Sequence, residues 1–224
     1  MELSEAMKQR HSVRQYTDSP IETAALKALQ AEIAECNRES GLHIQLVNDE
    51  PKAFDSFMAH YGKFSGVKNY IALIGKKSAQ LDELCGYYGE RLVLKAEQLG
   101  LNSCWVAMTY KKIPGAFKID SGEKLTVVIA LGYGQTQGEP HTSKPVDKVS
   151  NVSGDSPAWF RAGVEAALLA PTAMNQQKFT FTLDSASGRA VSAKAGTGFY
   201  TKIDLGIAKY HFEIGAGKEN FIWK

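Results

Sequence analysis

Lys124-Leu-Thr-Val-Val-Ile-Ala-Leu-Gly132 is an apolar, β-branched run closed by glycine, and its length and residue types predict a strand of the core. Ahead of it, Leu81 to Leu99 carries Leu84, Tyr87, Tyr88, Leu92, Leu94, Ala96 and Leu99. That pattern predicts a long, largely buried helix stopped by Gly100, the residue that best tolerates a left-handed cap. Further upstream, a short helix is expected over Glu2 to Gln9, a helix over Ile21 to Cys36, a strand over Leu42-His-Ile-Gln-Leu-Val47, a helix over Pro51 to Tyr61 and a buried strand over Tyr70 to Gly75. Behind the core strand, residues 132–156 contain Gly, Pro and Ser and read as a linker. A helix from Pro157 to Leu169, strands over Lys178 to Leu183 and Ala190 to Ala195, and a helix over Lys202 to Ile214 complete the chain. Roughly five strands and six helices favour a mixed α/β or α+β sheet covered by helices, and α+β is the class expected here.

The 224 residues are 44% apolar and 22% charged, ordinary for a globular chain. A formal net charge of +2, with basic residues scattered, gives no footprint for nucleic acid. Cys36, Cys85 and Cys104 form no CxxC pair, so neither a disulfide framework nor a zinc site is indicated and a reducing compartment fits best. The charged N-terminus lacks a signal-peptide core and no apolar run spans a membrane; the expected place is the cytoplasm. His11, His43, His60, His141 and His211 make no HxxxH or HExxH pattern, and neither a GxSxG elbow nor a phosphate-binding GxxxxGK loop occurs.

Arg10-His-Ser-Val-Arg-Gln-Tyr16 places two guanidiniums and a hydroxyl at i, i+2 and i+4. Such a set can close on one phosphate, or can be a solvated basic terminus, since short basic clusters are common. Ala170-Pro-Thr-Ala-Met-Asn-Gln-Gln177 similarly reads either as an ordinary helix-ending loop or as a ligand loop.

Taken together these segments resemble the FMN-dependent nitroreductase-like family. Arg10 to Tyr16 resembles its R-x-S-x-R-x-F/Y signature, Leu94 to Trp105 its long helix with a following G-L-G-S-C-W turn, Val128-Ile-Ala-Leu-Gly-Tyr-Gly134 its late strand ending in L-G-Y-P, and Ala170 to Gln177 its A-P-S-x-x-N-x-Q loop. The resemblance implies that Arg10, His11, Ser12 and Arg14 bind the phosphate end of FMN, with Lys63 facing the pyrimidine. It implies that Ala107 and Met108 lie over the flavin N5 region, and that Pro171, Thr172, Ala173 and Asn175 line the isoalloxazine. Lys144 stands in a [K/R]-x-R-x-P-like stretch, His141-Thr-Ser-Lys144-Pro145, in which Ser143 replaces the expected arginine. Trp105 and Met108 read equally well as core. Cys104 reads as a small buried hydrophobe.

The chain departs from the family in one respect. The P-S-x-x-N loop ordinarily follows the arginine motif closely, yet residues 34–41 do not match it and the loop comes instead near residue 171. Family members are usually homodimers whose flavin sites combine the two motifs from different subunits. The resemblance therefore implies two similar halves, 1–150 and 151–224, forming an intramolecular pseudo-dimer: a monomer with one FMN. The implied reaction is ping-pong reduction of a small electron-poor acceptor, such as a nitroaromatic or quinone, with NAD(P)H as donor, the flavin and no side chain doing the chemistry. The alternatives are a flavin- or ligand-binding module without turnover and a specialised flavin reaction.

Overall fold

The computed structural model describes residues 1–184 and 186–224. By contact it divides into two compact units, one comprising residues 9–81 and 91–140, the other 1–8, 82–90 and 141–224. This grouping draws the N-terminal helix and half of the long helix to the C-terminal residues, something a linear division at residue 150 does not contain.

The first unit is built on a four-stranded sheet in the order β1 (Gln45–Val47), β2 (Asn69–Lys76), β4 (Glu123–Gly132), β3 (Asn102–Val106), antiparallel throughout. β2 and β4 are central, and β2 is buried at seven of its eight positions, so the opening sequence run and its partner carry apolar side chains on both faces. One face joins Tyr70, Ala72, Ile74, Val128 and Ala130 to Phe54, Phe64, Cys104 and Val106. α2 (Thr23–Ser40) brings a stripe of Ala25, Leu29, Ile33 and Cys36 and ends at Gly41 in the left-handed conformation. The helix expected over Pro51 to Tyr61 is broken. The Glu50 carboxylate accepts from Lys52 N and Ala53 N and confines a 3-10 turn to Pro51–Ala53, whereas Ser56 caps a separate short helix, α3 (Phe57–Tyr61). The turn expected after Gly100 is also replaced: residues 102–106 form β3, whose partner residues on β4 run from Gly132 to Val128.

The second unit has a mixed three-stranded sheet, β5 (Phe179–Leu183) antiparallel to β6 (Ala190–Ala195), with β6 parallel to a short C-terminal β7 (Ile222–Trp223). α1 (Leu3–Gln9) ends just past the last residue assigned to this unit. α5 (Ala158–Ala167) and α6 (Thr201–Ala216) belong wholly to it, as do Asp82–Glu90 of α4 (Leu81–Gln98). Phe181 and Phe212 stack with centroids 4.7 Å apart, and Phe221 meets Phe212 edge-on at 5.1 Å. β7, absent from the sequence reading, thus closes an aromatic core. α4 and α6 approach backbone to backbone: a Cβ on Gly206 would lie 2.0 Å from Glu83 O, and one on Gly86 would lie 2.1 Å from Ile203 O. Beside this contact, Glu90 and His211, both fully buried, meet at 2.8 Å. As expected of a central helix, α4 has no exposed residue.

Candidate functional site

Past α1 the chain runs extended, and its backbone is tied to three segments of the first unit. Val13 N donates to Ser103 O at 3.0 Å, Tyr16 N to Ser65 O at 3.0 Å, Ser65 N to Arg14 O at 3.0 Å and Thr17 N to Tyr133 O at 2.8 Å. The side chain of Tyr16, 2% exposed, packs in the core and donates its hydroxyl to Val13 O at 2.7 Å. Gly66, with φ +70°, passes so close that a Cβ would lie 2.3 Å from Tyr16 O, so a side chain there would push the motif out of place. Val13 turns inward, leaving Ser12 half-buried and Arg14 exposed.

Arg10, Ser12 and Arg14 all act on one point, the Cys104 thiol at the middle of β3. Burial raises its pKa, while the Arg14 charge, a hydrogen bond from Ser12 and the Arg10 charge lower it. Arg10, 3% exposed, also acts on the Glu97 carboxyl, which burial raises and Arg10 lowers. The segment thus lies alongside β3, with Ser12 bridged to Ser103. The turn after β4 lies against them: the Gly138 Cβ position is 2.8 Å from His11 Cβ and 3.1 Å from Ser12 O. Buried Asn102 fixes that turn, accepting from Gly134 N at 2.8 Å and donating to Gln137 at 2.9 Å. Two guanidiniums and a hydroxyl on a braced strand can bind a phosphate through charge-assisted hydrogen bonds. Lys63 is exposed at φ +63°, two residues before the Ser65 that pairs with Arg14. Ala107 and Met108 follow β3 in a bend, and Met108 is 69% exposed, which removes it from the core.

The remaining expected residues belong to the second unit. Between α5 and β5, Pro171 and Thr172 lead into a short 3-10 turn, Ala173–Asn175, in which Met174 (φ 51°) and Asn175 (φ 53°) take the left-handed conformation, as does Gln177 (φ 44°) just past it. Non-glycine residues there are strained by about 1–3 kcal/mol each, less for Asn, so the surroundings must impose the shape. Gln177, 2% exposed, accepts from Lys144 N at 2.8 Å and donates to Thr142 O and to Asn175 Oδ1 at 2.8 and 2.7 Å. Asn175 Nδ2 donates to Thr142 O at 2.9 Å. Lys144 Nζ donates to the Gln176 and Gln177 carbonyls at 2.6 and 3.1 Å. The amide of Asn175 and the ammonium of Lys144 thus brace the loop itself. Sequence reasoning missed two residues that shape these segments, Asn102 and Asp204. Neither carries a local sequence signal, since each acts on a segment distant in sequence.

A cavity of about 320 Å³ in the first unit is lined by Tyr16 to Ile21, Asn48, Asp49, Gly66, Lys68, Asn69, Leu131 and Gly132. It borders the end of the arginine segment but does not include Arg10, Ser12 or Arg14. Among the described residues, one cluster could hold a metal, His43 with Asp120 and Glu123. His43 is already paired with Glu123 at 2.9 Å and Asp120 with Lys118 at 2.8 Å, so the cluster serves as a tie between the start of β4 and the segment before β1. No described helix is long and apolar enough to cross a membrane.

The chain resembles a putative nitroreductase from Thermotoga maritima at 20% identity, over 98% of this chain and 85% of that one, with a TM-score of 0.65. A putative nitroreductase from Desulfovibrio desulfuricans, solved in complex with FMN, is 17% identical over 66% of this chain and 94% of its own, with a TM-score of 0.53. A nitroreductase family protein from Streptococcus pneumoniae is 17% identical over 66% and 98%, with a TM-score of 0.53. These likenesses show a common fold. No curated protein matches the sequence. Residues 2–216, nearly the whole chain, match the family described as "Putative TM nitroreductase", and the chain belongs to that family, which is named for an oxidoreductase activity.

Proposed function

We propose that the protein is an FMN-dependent oxidoreductase that uses NAD(P)H to reduce small electron-poor molecules, nitroaromatics or quinones, in a ping-pong cycle. The observation that carries this reading is the placement of Arg10, Ser12 and Arg14 on one segment whose backbone is held by Ser103, Ser65 and Tyr133. This donor set suits a phosphate monoester: Arg14 and Ser12 reach solvent, and buried Arg10 adds positive potential. When bound, FMN supplies the two-electron redox chemistry, accepting a hydride from the nicotinamide and delivering it to the acceptor. The chain's own residues bind and orient. Arg10, His11, Ser12 and Arg14 hold the phosphate end, Lys63 offers positive charge to the pyrimidine, Ala107 and Met108 offer backbone and apolar surface, and Pro171, Thr172, Ala173 and Asn175 line the ring. Lys144 contributes by fixing the last of these segments.

The proposal includes one FMN per chain, residues 1–150 and 151–224 being diverged halves of a fused dimer working as a monomer in the cytoplasm. Solution mass and flavin stoichiometry decide this part: an obligate dimer with two flavins refutes it. The cofactor reading is tested by incubating the purified protein with excess FMN, desalting, and recording the visible spectrum beside the double variant Arg10→Ala, Arg14→Ala. Flavin bands near one equivalent per chain, lost in the variant, support it, and a native protein without bands overturns it. Anaerobic bleaching of those bands by NADH or NADPH, followed by reoxidation with a quinone, tests the cycle.

A further inference from the structure

The loop with three left-handed residues is held by an acid that no sequence motif marks. Asp204 lies in the first turn of α6 and is 2% exposed. Its Oδ1 accepts from Ala173 N at 2.9 Å and its Oδ2 from Gln176 Nε2 at 2.7 Å. The second hydrogen of that amide goes to Phe199 O at 2.9 Å. One carboxylate thus fixes both ends of the turn formed by Ala173, Met174 and Asn175 and joins it to the segment leading into α6. No charged side chain offsets the burial: the pKa is raised from 3.8 to about 6 by desolvation, with the Ala173 and Gln176 hydrogen bonds lowering it. The charged groups of the neighbouring elements are engaged elsewhere. Lys144 is on the Gln176 and Gln177 carbonyls, Lys178 on Thr197 O, and Glu90 on His211.

We propose that Asp204 is the positioning residue of the ring-lining loop, its two carboxylate hydrogen bonds, to Ala173 N and Gln176 Nε2, holding the turn in which Met174 and Asn175 take the left-handed conformation. A buried acid without a cation partner is a poor choice for stability alone, and strained backbone of this kind concentrates at ligand clamps. The inference rests on the FMN reading for what the loop serves, but the hold on the loop stands apart from it.

The sign of the pH effect follows from linkage. If opening the loop returns Asp204 to water, the open form has the lower pKa, so opening releases a proton and becomes easier as pH rises. With values of 3.8 and about 6, the opening constant rises about tenfold between pH 5 and pH 7.

The test is amide hydrogen exchange at Ala173 and Gln176 in the full-length protein, corrected for intrinsic exchange, at pH 5 and pH 7. Wild type should show the tenfold change, Asp204→Asn should be flat, and Gln176→Ala, which keeps the carboxylate but deletes one donor, should move the midpoint upward. FMN affinity, measured by flavin fluorescence, should weaken with rising pH in wild type and lose that dependence in Asp204→Asn. A pH slope unchanged in Asp204→Asn, or flavin affinity indifferent to the loop's opening, overturns the proposal. Wild type that binds no FMN at either pH overturns the positioning role together with the cofactor reading, and the exchange profile then shows whether the hold on the loop survives.

Discussion

Replacing His211 should damage the protein far more than neutralising the acid it meets. His211 and Glu90 are both 0% exposed, with Nε2 to Oε1 at 2.8 Å, while Nδ1 faces Ala166 O at 3.2 Å. Both ring nitrogens therefore face oxygen. A neutral imidazole donates through only one nitrogen. Deleting the ring in His211→Ala strips Glu90 of this partner in a place water does not reach, removes the donor to Ala166 O and opens a cavity. Breaking a buried pair from one side costs about 3–5 kcal/mol, roughly 10 °C or more in melting temperature for a chain of this size. Glu90→Gln is different: its amide can donate to Nε2 while Nδ1–H serves Ala166, so the ring keeps both partners and the expected loss is about 1 kcal/mol or less. Urea unfolding of wild type and the two variants at one pH measures both. Equal losses in the two variants, or a loss below 1 kcal/mol for His211→Ala, would refute the reasoning that the ring's two contacts hold this place together.

Gly206→Ala should destabilise by more than the 1–3 kcal/mol typical of overpacking, since the new Cβ would meet the Glu83 carbonyl at 2.0 Å and backbone cannot move aside as a side chain can. Thiol titration at pH 7.5 should label none of the cysteines in the native protein and all three in denaturant. All are buried, and burial pushes Cys36 up to about 12 and raises Cys104; rapid native labelling of either contradicts that. Global stability should also report Asp204. Because its folded pKa is raised, its favourable contribution is complete below about pH 4 and is lost as pH rises through about 6, up to about 3 kcal/mol in all. Wild type minus Asp204→Asn, followed by urea unfolding across that range, should trace the loss, and a flat difference counts against it.

The strongest periodicities were legible in the sequence. α4 and β4 lie within a residue or two of their expected bounds because both are buried, so that packing and local preference agree. β3 was hidden because Asn102-Ser103-Cys104-Trp105-Val106 shows no clean alternation and all but Trp105 are buried. Its identity is decided by pairing with β4, whose partner residues lie 22 to 30 positions away in sequence. β7 has two residues and exists only against β6. The 51–61 break was readable in part from Ser56, a preferred capping type, whereas Glu50 is not one and its capping of Lys52 N and Ala53 N shows only in the structure. Of the candidate site, the arginine segment was legible because its chemistry is local. Asp204 was not, since its meaning depends on a loop 31 positions earlier.

The two expected ligand segments differ in how their shape is secured, and this bears on how variants in them should be read. The arginine segment owes its backbone to main-chain hydrogen bonds with Ser103, Ser65 and Tyr133, so its side chains can be cut without moving it. Loss of flavin in Arg14→Ala would then report a lost contact. The Pro171–Gln177 loop owes its backbone to side chains: Asp204, Gln177, Asn175 and Lys144 all hold it. Asn175→Ala would remove a donor to Thr142 O and an acceptor for Gln177 Nε2 together, in a residue already at φ 53° that alanine adopts less readily than asparagine. Its effect on flavin would mix a lost contact with a moved loop, so only a variant that leaves exchange at Ala173 unchanged can measure what Asn175 itself gives the ligand.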